Sequence, residues 1–266
     1  MRPAHKAATI LIVAALALSM TACGTTTQPG PRAITPVAVK TTVPVATSTV
    51  IPAGTGTAVR PTAENPLGID WAKQAPFTGP AAHTYGAAKV MAAYREAVEF
   101  ALLQGSTNLM AKGYDAKAAE FSFITPYLTP GTQKLWAGYV KTALADPKAD
   151  AAAGSVSGLT NWNIAAGQDT FKFRPGQLLY TVGNTFTAAK ASVEGDAADQ
   201  ALVLEFTVRT KIRLMKGAKA VLIPFTKKIT YGMVPNELTG RPWLITRWET
   251  STTSAAAVPD PMGATD

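Results

Sequence analysis

The strongest constraint on the fold is a long stretch in which apolar and polar residues alternate. From Ala201 to Met215 the sequence reads ALVLEFTVRTKIRLM. A period of two places successive side chains on opposite faces of a β-strand. The residues KGAK at 216–219 predict a turn, and AVLIPFTKKITYGM returns after it as the partner strand. We therefore predict a long antiparallel hairpin with one buried face and one polar face.

Further strands flank this hairpin in the sequence. QLLYTVGNTFTAAKASV precedes it and RPWLITRWETS follows it, so the predicted antiparallel sheet has four or more strands. Proline lacks the backbone N–H that a strand ladder needs, and we predict a β-bulge near Pro224 in the return strand.

Three helices are predicted before the strands. Apolar residues at three- and four-residue spacing indicate a helix that begins at Thr84 and ends at Gly105. A shorter helix, DAKAAEFSFITPYL, is interrupted near Pro126. The third begins with Thr129 as its cap and Pro130 as its first residue. Its predicted inward residues are Leu135, Trp136, Tyr139, Val140 and Leu144.

The order of these elements predicts an α+β domain over residues 81–251, with helices packed on a curved antiparallel sheet. This order, with YLTPGTQKLW between two helices, resembles the NTF2-like (cystatin-like) cone over residues 84–251. The resemblance implies a fold that hosts isomerases, hydratases, ligand-binding proteins and non-catalytic envelope modules. Fold alone therefore does not decide the function.

The first residues have the pattern of a secretory signal segment. MRPAHK is followed by the apolar run 7–20, which spans about 21 Å as a helix and is shorter than the ~30 Å bilayer core. MTAC, ending at Cys23, resembles the lipobox of bacterial lipoproteins. The resemblance implies that residues 1–22 are a signal peptide, cut between Ala22 and Cys23, and that the Cys23 thiol carries a diacylglyceryl group. An ordinary signal peptide and a retained membrane helix are the alternatives.

The cysteine count favours lipidation. Cys23 is the only cysteine, so no disulfide can form within the chain. Two acyl chains, palmitate for example, give a stable membrane anchor. We expect a lipoprotein on the extracytoplasmic face of the cell membrane.

Residues 23–80 are predicted to be a disordered tether. The part up to residue 63 is rich in Thr, Val and Pro and has no aromatic residue to start a core. Trp71 and Phe77 indicate either an ordered arm on the domain or further linker. Residues 252–266 are predicted to be a disordered tail.

Catalytic and metal-binding residues are scarce. His83 is the only histidine after the signal segment, and no set of metal ligands or cofactor motif is present, so we expect no metal or cofactor. Asp169 and Glu120 could act as an acid or a base, but both also fit a loop or surface charge. No aromatic platform accompanies the basic residues, so nucleic-acid binding is not expected.

Two groups of strand residues allow a binding role. One is a possible apolar pocket, and core packing is its alternative. The other is a possible face for anions, and a solvated sheet face is its alternative. The pocket residues are Tyr180, Phe206, Phe225 and Tyr231, and the anion-contacting residues are Arg209, Lys211, Arg213 and Lys228.

These features predict a non-catalytic, lipid-anchored envelope protein whose domain contacts a protein or an anionic polymer. The alternatives are a lipid-tethered binder of a small apolar ligand and an NTF2-like enzyme. A large interior pocket would favour the binder, and an inward carboxylate with a polar neighbour would favour the enzyme. A filled interior with an exposed charged face would favour the contact protein.

Overall fold

The computed structural model describes residues 69–104, 109–146, 148–162, 171–173, 181–186, 189–196, 199–238 and 240–261. The predictions for Cys23, the signal peptide and the tether before residue 69 lie outside the described residues, as do those for Asp169 and Tyr180. Among the residues that are described, none of the helices is long and apolar enough to span a membrane.

Among the described residues, five α-helices precede the strands. They are α1 (Pro80–Tyr85), α2 (Ala87–Glu99), α3 (Leu109–Lys112), α4 (Pro130–Ala145) and α5 (Asp150–Thr160). Short 3₁₀ helices cover Trp71–Lys73, Gly113–Asp115 and Ala118–Tyr127, and a π-helical turn covers Phe100–Gln104.

The strands form one antiparallel sheet built on the predicted hairpin. Its two strands are β3 (Ala201–Lys216) and β4 (Lys219–Pro235), joined by a two-residue turn. β1 (Thr181–Phe186) and β2 (Lys190–Glu194) pair one after the other with β3. β5 (Trp243–Ser254) and β6 (Val258–Pro259) pair in the same way with β4. The six-stranded sheet with its helices confirms the predicted α+β class.

The helical predictions need three corrections. Gly86, with φ of +87°, separates α1 from α2, so Thr84 lies inside a helix that begins at Pro80 rather than at a helix cap. The second predicted helix is a 3₁₀ helix. In α4, which begins at Pro130 as predicted, Trp136 is buried but Leu135 is 59% exposed, because it lies outside the buried stripe.

Strand register differs from the sequence prediction at one point. Pro224 pairs with Lys211 inside an unbroken register, so the bulge predicted near Pro224 is wrong. The register shifts instead between Gly232 and Met233, where β4 pairs with β5. The extra residue lies on β5, and β5 pairs with β4 on both sides of this shift.

Residues 252–254 and 258–259 belong to strands of the sheet, in contrast to the expected tail. β5 continues to Ser254, and the Ala255 N–H donates to the Pro224 carbonyl at 2.9 Å. β6 then pairs with the first residues of β4. Asp260 is 8% exposed and its N–H donates to the Ala220 carbonyl at 3.1 Å, so the end of the described chain is held on the hairpin.

The backbone of helix α5 at Gly158 packs closely against two side chains of β5. A Cβ atom on Gly158 would lie 2.9 Å from Oγ1 of Thr250 and 3.1 Å from Nε1 of Trp248. The Trp248 indole N–H donates to the Ser155 carbonyl at 3.0 Å and fixes the same contact. Glycine is therefore required at this position of the helix.

Replacing this glycine tests the contact directly. We expect Gly158→Ala to lower the free energy of unfolding by about 1–3 kcal/mol, because the added methyl overpacks the interface. Gly154→Ala is the matched control, since its Cβ meets nothing within 4 Å in the same helix. The control should gain up to about 1 kcal/mol from helix propensity. Equal effects in chemical denaturation would contradict the close packing.

Candidate functional site

The residues predicted to line an apolar pocket do not form one group. Phe206 and Tyr231 lie in the main core, with their ring centroids 5.8 Å apart. Phe225 belongs to a second cluster further along the hairpin, with Ile212 and Ile223. Phe206, Phe225 and Tyr231 are therefore core-packing residues, which was the alternative to an apolar pocket.

The interior is filled further by the segment before α1. The Trp71 ring stacks on Phe186 at a centroid distance of 5.8 Å and an angle of 22°. Phe77 is 2% exposed and meets Tyr94 edge to face at 5.6 Å. The sequence left an arm and a linker open for these residues, and the structure places them as an arm, residues 69–79, in the aromatic core.

A groove of about 500 Å³ lies on the opposite, outer face of the sheet. Most of its lining side chains are polar and come from β2, β3, β4 and β5. The lining residues are Lys190, Glu205, Phe206, Thr207, Lys228, Ile229, Thr230, Glu249, Thr250 and Ser251.

Strand register explains why these side chains meet. Lys190 pairs with Glu205, Glu205 with Thr230 and Thr230 with Glu249, so one row crosses four strands. Neighbouring strands are about 4.8 Å apart, which brings both carboxylates within about 10 Å of each other. Lys228 lies in the next row, diagonally opposite both glutamates.

The charged groups of the groove are available to a ligand. Lys190, Glu205, Lys228 and Glu249 form no ion pair with any described residue, and Lys228 and both glutamates are exposed. Both signs of charge are present, together with the hydroxyl groups of Thr230 and Ser251. The groove can therefore accept ammonium, carboxylate and hydroxyl groups.

An ion pair joins β2 and β5 on the same outer face as the groove. Arg247 on β5 pairs through Nη2 with Glu194 on β2. Its side chain lies over Gly232, where a Cβ would come within 2.7 Å of Cγ and 2.8 Å of Nε of Arg247. The absence of a side chain at Gly232 thus makes room for the arginine.

The predicted anion-contacting residues lie on the outer face but are not equivalent. Arg209 and Lys211 are exposed, and Lys228 lies in the groove between the glutamates. Arg213 differs, because its Nε lies 2.9 Å from Oδ2 of Asp260 and its side chain is only 14% exposed. The residues beyond Ser251, which we expected to be a tail, supply this carboxylate.

A buried lysine was not recognised from the sequence. Lys227 is 2% exposed on the inner face of β4. Its ammonium donates to Oδ1 of Asn161 at 2.8 Å and to the Ser157 carbonyl at 3.2 Å, at the C-terminal end of α5 where the helix dipole favours a cation. Burial lowers the pKa of Lys227 to about 7. The sequence does contain a signal for this burial, because position 227 carries lysine where the alternation along β4 predicts an apolar residue.

The other titratable candidates lie apart from the groove. His83 is exposed in α1, and Glu120 pairs with Lys112. Glu96, missed by the sequence analysis, accepts a hydrogen bond from Nη1 of Arg241 at 3.1 Å, and burial raises the pKa of its carboxyl group. Nowhere in the described ranges do three or more potential metal ligands come together.

Comparison with known proteins gives no family for this chain. It matches no protein-family model, no curated protein and no solved structure. The groove and the exposed cations beside it are therefore the features from which a function can be argued.

The buried lysine predicts a specific pH dependence of stability. The pKa of Lys227 is lowered from 10.5 to about 7, so between these values the unfolded chain binds a proton that the folded chain does not. The contribution of Lys227 to stability therefore rises with pH across this window, by at most about 1.4 kcal/mol per pH unit. We expect Lys227→Met to be most stabilising, relative to the natural chain, near pH 6.

Urea denaturation at pH 6 and pH 9 measures this difference. The advantage of Lys227→Met should shrink at the higher pH. Lys228→Met, exposed on the opposite face, is the matched control and should show no such trend. A constant difference between Lys227→Met and the natural chain at both pH values would contradict the buried position of the ammonium group.

Proposed function

We propose that the chain is a non-catalytic, lipid-anchored envelope protein that contacts an anionic polymer or a protein through the outer face of its sheet. The supporting observation is the contrast between the two faces. The inner face is filled by aromatic side chains and the arm, whereas the outer face carries the groove and unpaired charges.

The balance of charge on the outer face favours an anionic partner. Arg213 and Arg247 are already paired with Asp260 and Glu194. Among the described residues of this face, the cations without an ion-pair partner include Lys172, Lys190, Arg209, Lys211 and Lys228, and they outnumber the carboxylates of Glu205 and Glu249. Arg209 and Lys211 follow each other on one strand at about 6.8 Å and form the most concentrated part of the positive charge.

The location in this proposal rests on the resemblance of MTAC to a lipobox and on the single cysteine. A lipid on Cys23 would hold the domain near the membrane. Residues 24–63, if extended, reach about 120 Å, so the domain could contact either the membrane surface or a more distant partner.

Removal of the thiol tests the anchor. We expect Cys23→Ala to shift the protein from the membrane fraction to the soluble fraction, because no diacylglyceryl group can then be attached. Mass spectrometry of the natural chain should find Cys23 as the modified first residue. A natural chain that begins at another residue, or a Cys23→Ala chain that stays in the membrane, would contradict the anchor.

Charge reversal on the sheet tests the contact surface. The lipid-free chain from residue 24 is mixed with anionic vesicles or anionic wall polymer at low salt. We expect Arg209→Glu with Lys211→Glu to weaken binding about thirty-fold or more, since each cation contributes about 1 kcal/mol near an anionic surface. Rising salt should weaken binding by the natural chain.

The control changes net charge by the same amount elsewhere. Lys134 and Lys141 are exposed on α4, away from the outer sheet face. Lys134→Glu with Lys141→Glu should weaken binding far less than the reversal on β3. Equal losses would mean that net charge alone attracts the polymer. Absence of binding at low salt would contradict the proposed contact and favour a sheet face that meets only solvent.

A further inference from the structure

The second half of β5 has an outer edge that pairs with none of the residues that the structure describes. At the start of the strand this edge is occupied, since the Thr129 N–H donates to the Ile245 carbonyl at 3.1 Å and the Thr132 hydroxyl donates to the Thr246 carbonyl at 2.8 Å. From residue 247 to 254, no described residue other than those of β4 bonds the backbone of β5. Alternate N–H and C=O groups there point away from the sheet.

The part of this edge from residue 250 onward lacks the usual protection against pairing, whereas Arg247, Glu249 and the bulge of β5 lie before it. Edge strands normally carry charged side chains, proline or a bulge. Residues 250–257 read TSTTSAAA and contain no charge and no proline. Residues 251–254 are all exposed. By contrast, the opposite edge carries Lys190 and Glu194 on β2, and the register of β1 is interrupted between Val182 and Thr185.

We propose that a second copy of this chain pairs with the open edge, antiparallel, about a two-fold axis at Thr252. In this register Thr252 lies opposite Thr252 of the second copy. Ser251 then faces Thr253 of the second copy, and Thr250 faces its Ser254. The strand pairing within each copy is unchanged, and the sheets of the two copies join into one continuous sheet.

The sequence around the axis fits this register. Every pair within two residues of the axis joins two hydroxyl side chains, and Thr–Thr and Thr–Ser pairs are favourable across strands. Glu249 faces Ala255 of the second copy. The two Glu249 residues are then about 20 Å apart along the strands, because each is three residues from the axis. An axis closer to Glu249 would bring the like charges together, and this disfavours other registers.

The pairing also has a consequence for the groove. Glu249, Thr250 and Ser251 line the groove and lie on the pairing strand. The grooves of the two copies would therefore lie side by side on one continuous face, related by the two-fold axis. This inference concerns the strand edge and does not rest on the proposed function.

A cysteine on the axis tests the pairing in the full chain. Thr252→Cys is oxidised in the purified full chain, and the natural chain reports any cross-link through Cys23. Residues on the axis have Cα atoms about 5 Å apart, within the range that a disulfide bridges. We expect a disulfide-linked dimer as the main product.

Ser254→Cys is the matched control, because it is equally exposed and only two residues away. Its Cα atoms would be about 14 Å apart in the dimer, too far for a disulfide. It should cross-link no more than the natural chain. Equal cross-linking at both positions would indicate random encounters and would overturn the proposal, as would absence of cross-linking by Thr252→Cys.

A second measurement uses no cysteine. Light scattering of the purified full chain in detergent should give the mass of two chains after subtraction of the detergent. Thr252→Lys places two ammonium groups opposite each other, and we expect this mass to fall to one chain with an unchanged circular dichroism spectrum. A natural chain of single-chain mass, or a Thr252→Lys chain that remains dimeric, would overturn the proposal.

Discussion

The unbroken pairing of β3 with β4 is the constraint on which the rest of the structure depends. The register runs from Leu202 opposite Met233 to Lys216 opposite Lys219 without a shift. It assigns every residue of the hairpin to one face, so the same pairing that buries Tyr231 also places Glu205 and Thr230 on the outer face. A slip of one residue would exchange the two faces and remove both the core and the groove.

The sequence predicted the hairpin because period-two alternation is a local signal that survives over some thirty residues. It could not predict the groove. The row from Lys190 to Glu249 depends on pairing between strands that are far apart in the chain, and on the bulge beside Gly232. The buried lysine was missed because lysine is rarely buried, although the alternation along β4 places Lys227 on the inner face.

The helices show a different limit of sequence reasoning. α4 was predicted correctly at its start because Thr129 and Pro130 form a strong local signal. α5 was not among the three predicted helices, since its small residues give no clear apolar period. Those small residues have a tertiary role, because Gly158 lets the helix approach β5. Helix propensity describes the free energy of placing a residue in a helix and takes no account of a contact between the helix and a strand.

The arm at residues 69–79 determines where a mechanical load would enter the domain. Any tension carried by the chain before residue 69 acts first on Ile69 and Trp71, and these residues are held by side-chain packing in the aromatic core. The Trp71 ring meets both Tyr94 of α2 and Phe186 of β1, so a load that enters at residue 69 passes to the helices and to the sheet together. Tension on the preceding chain would therefore be divided between the two layers of the domain and would not fall on a single strand.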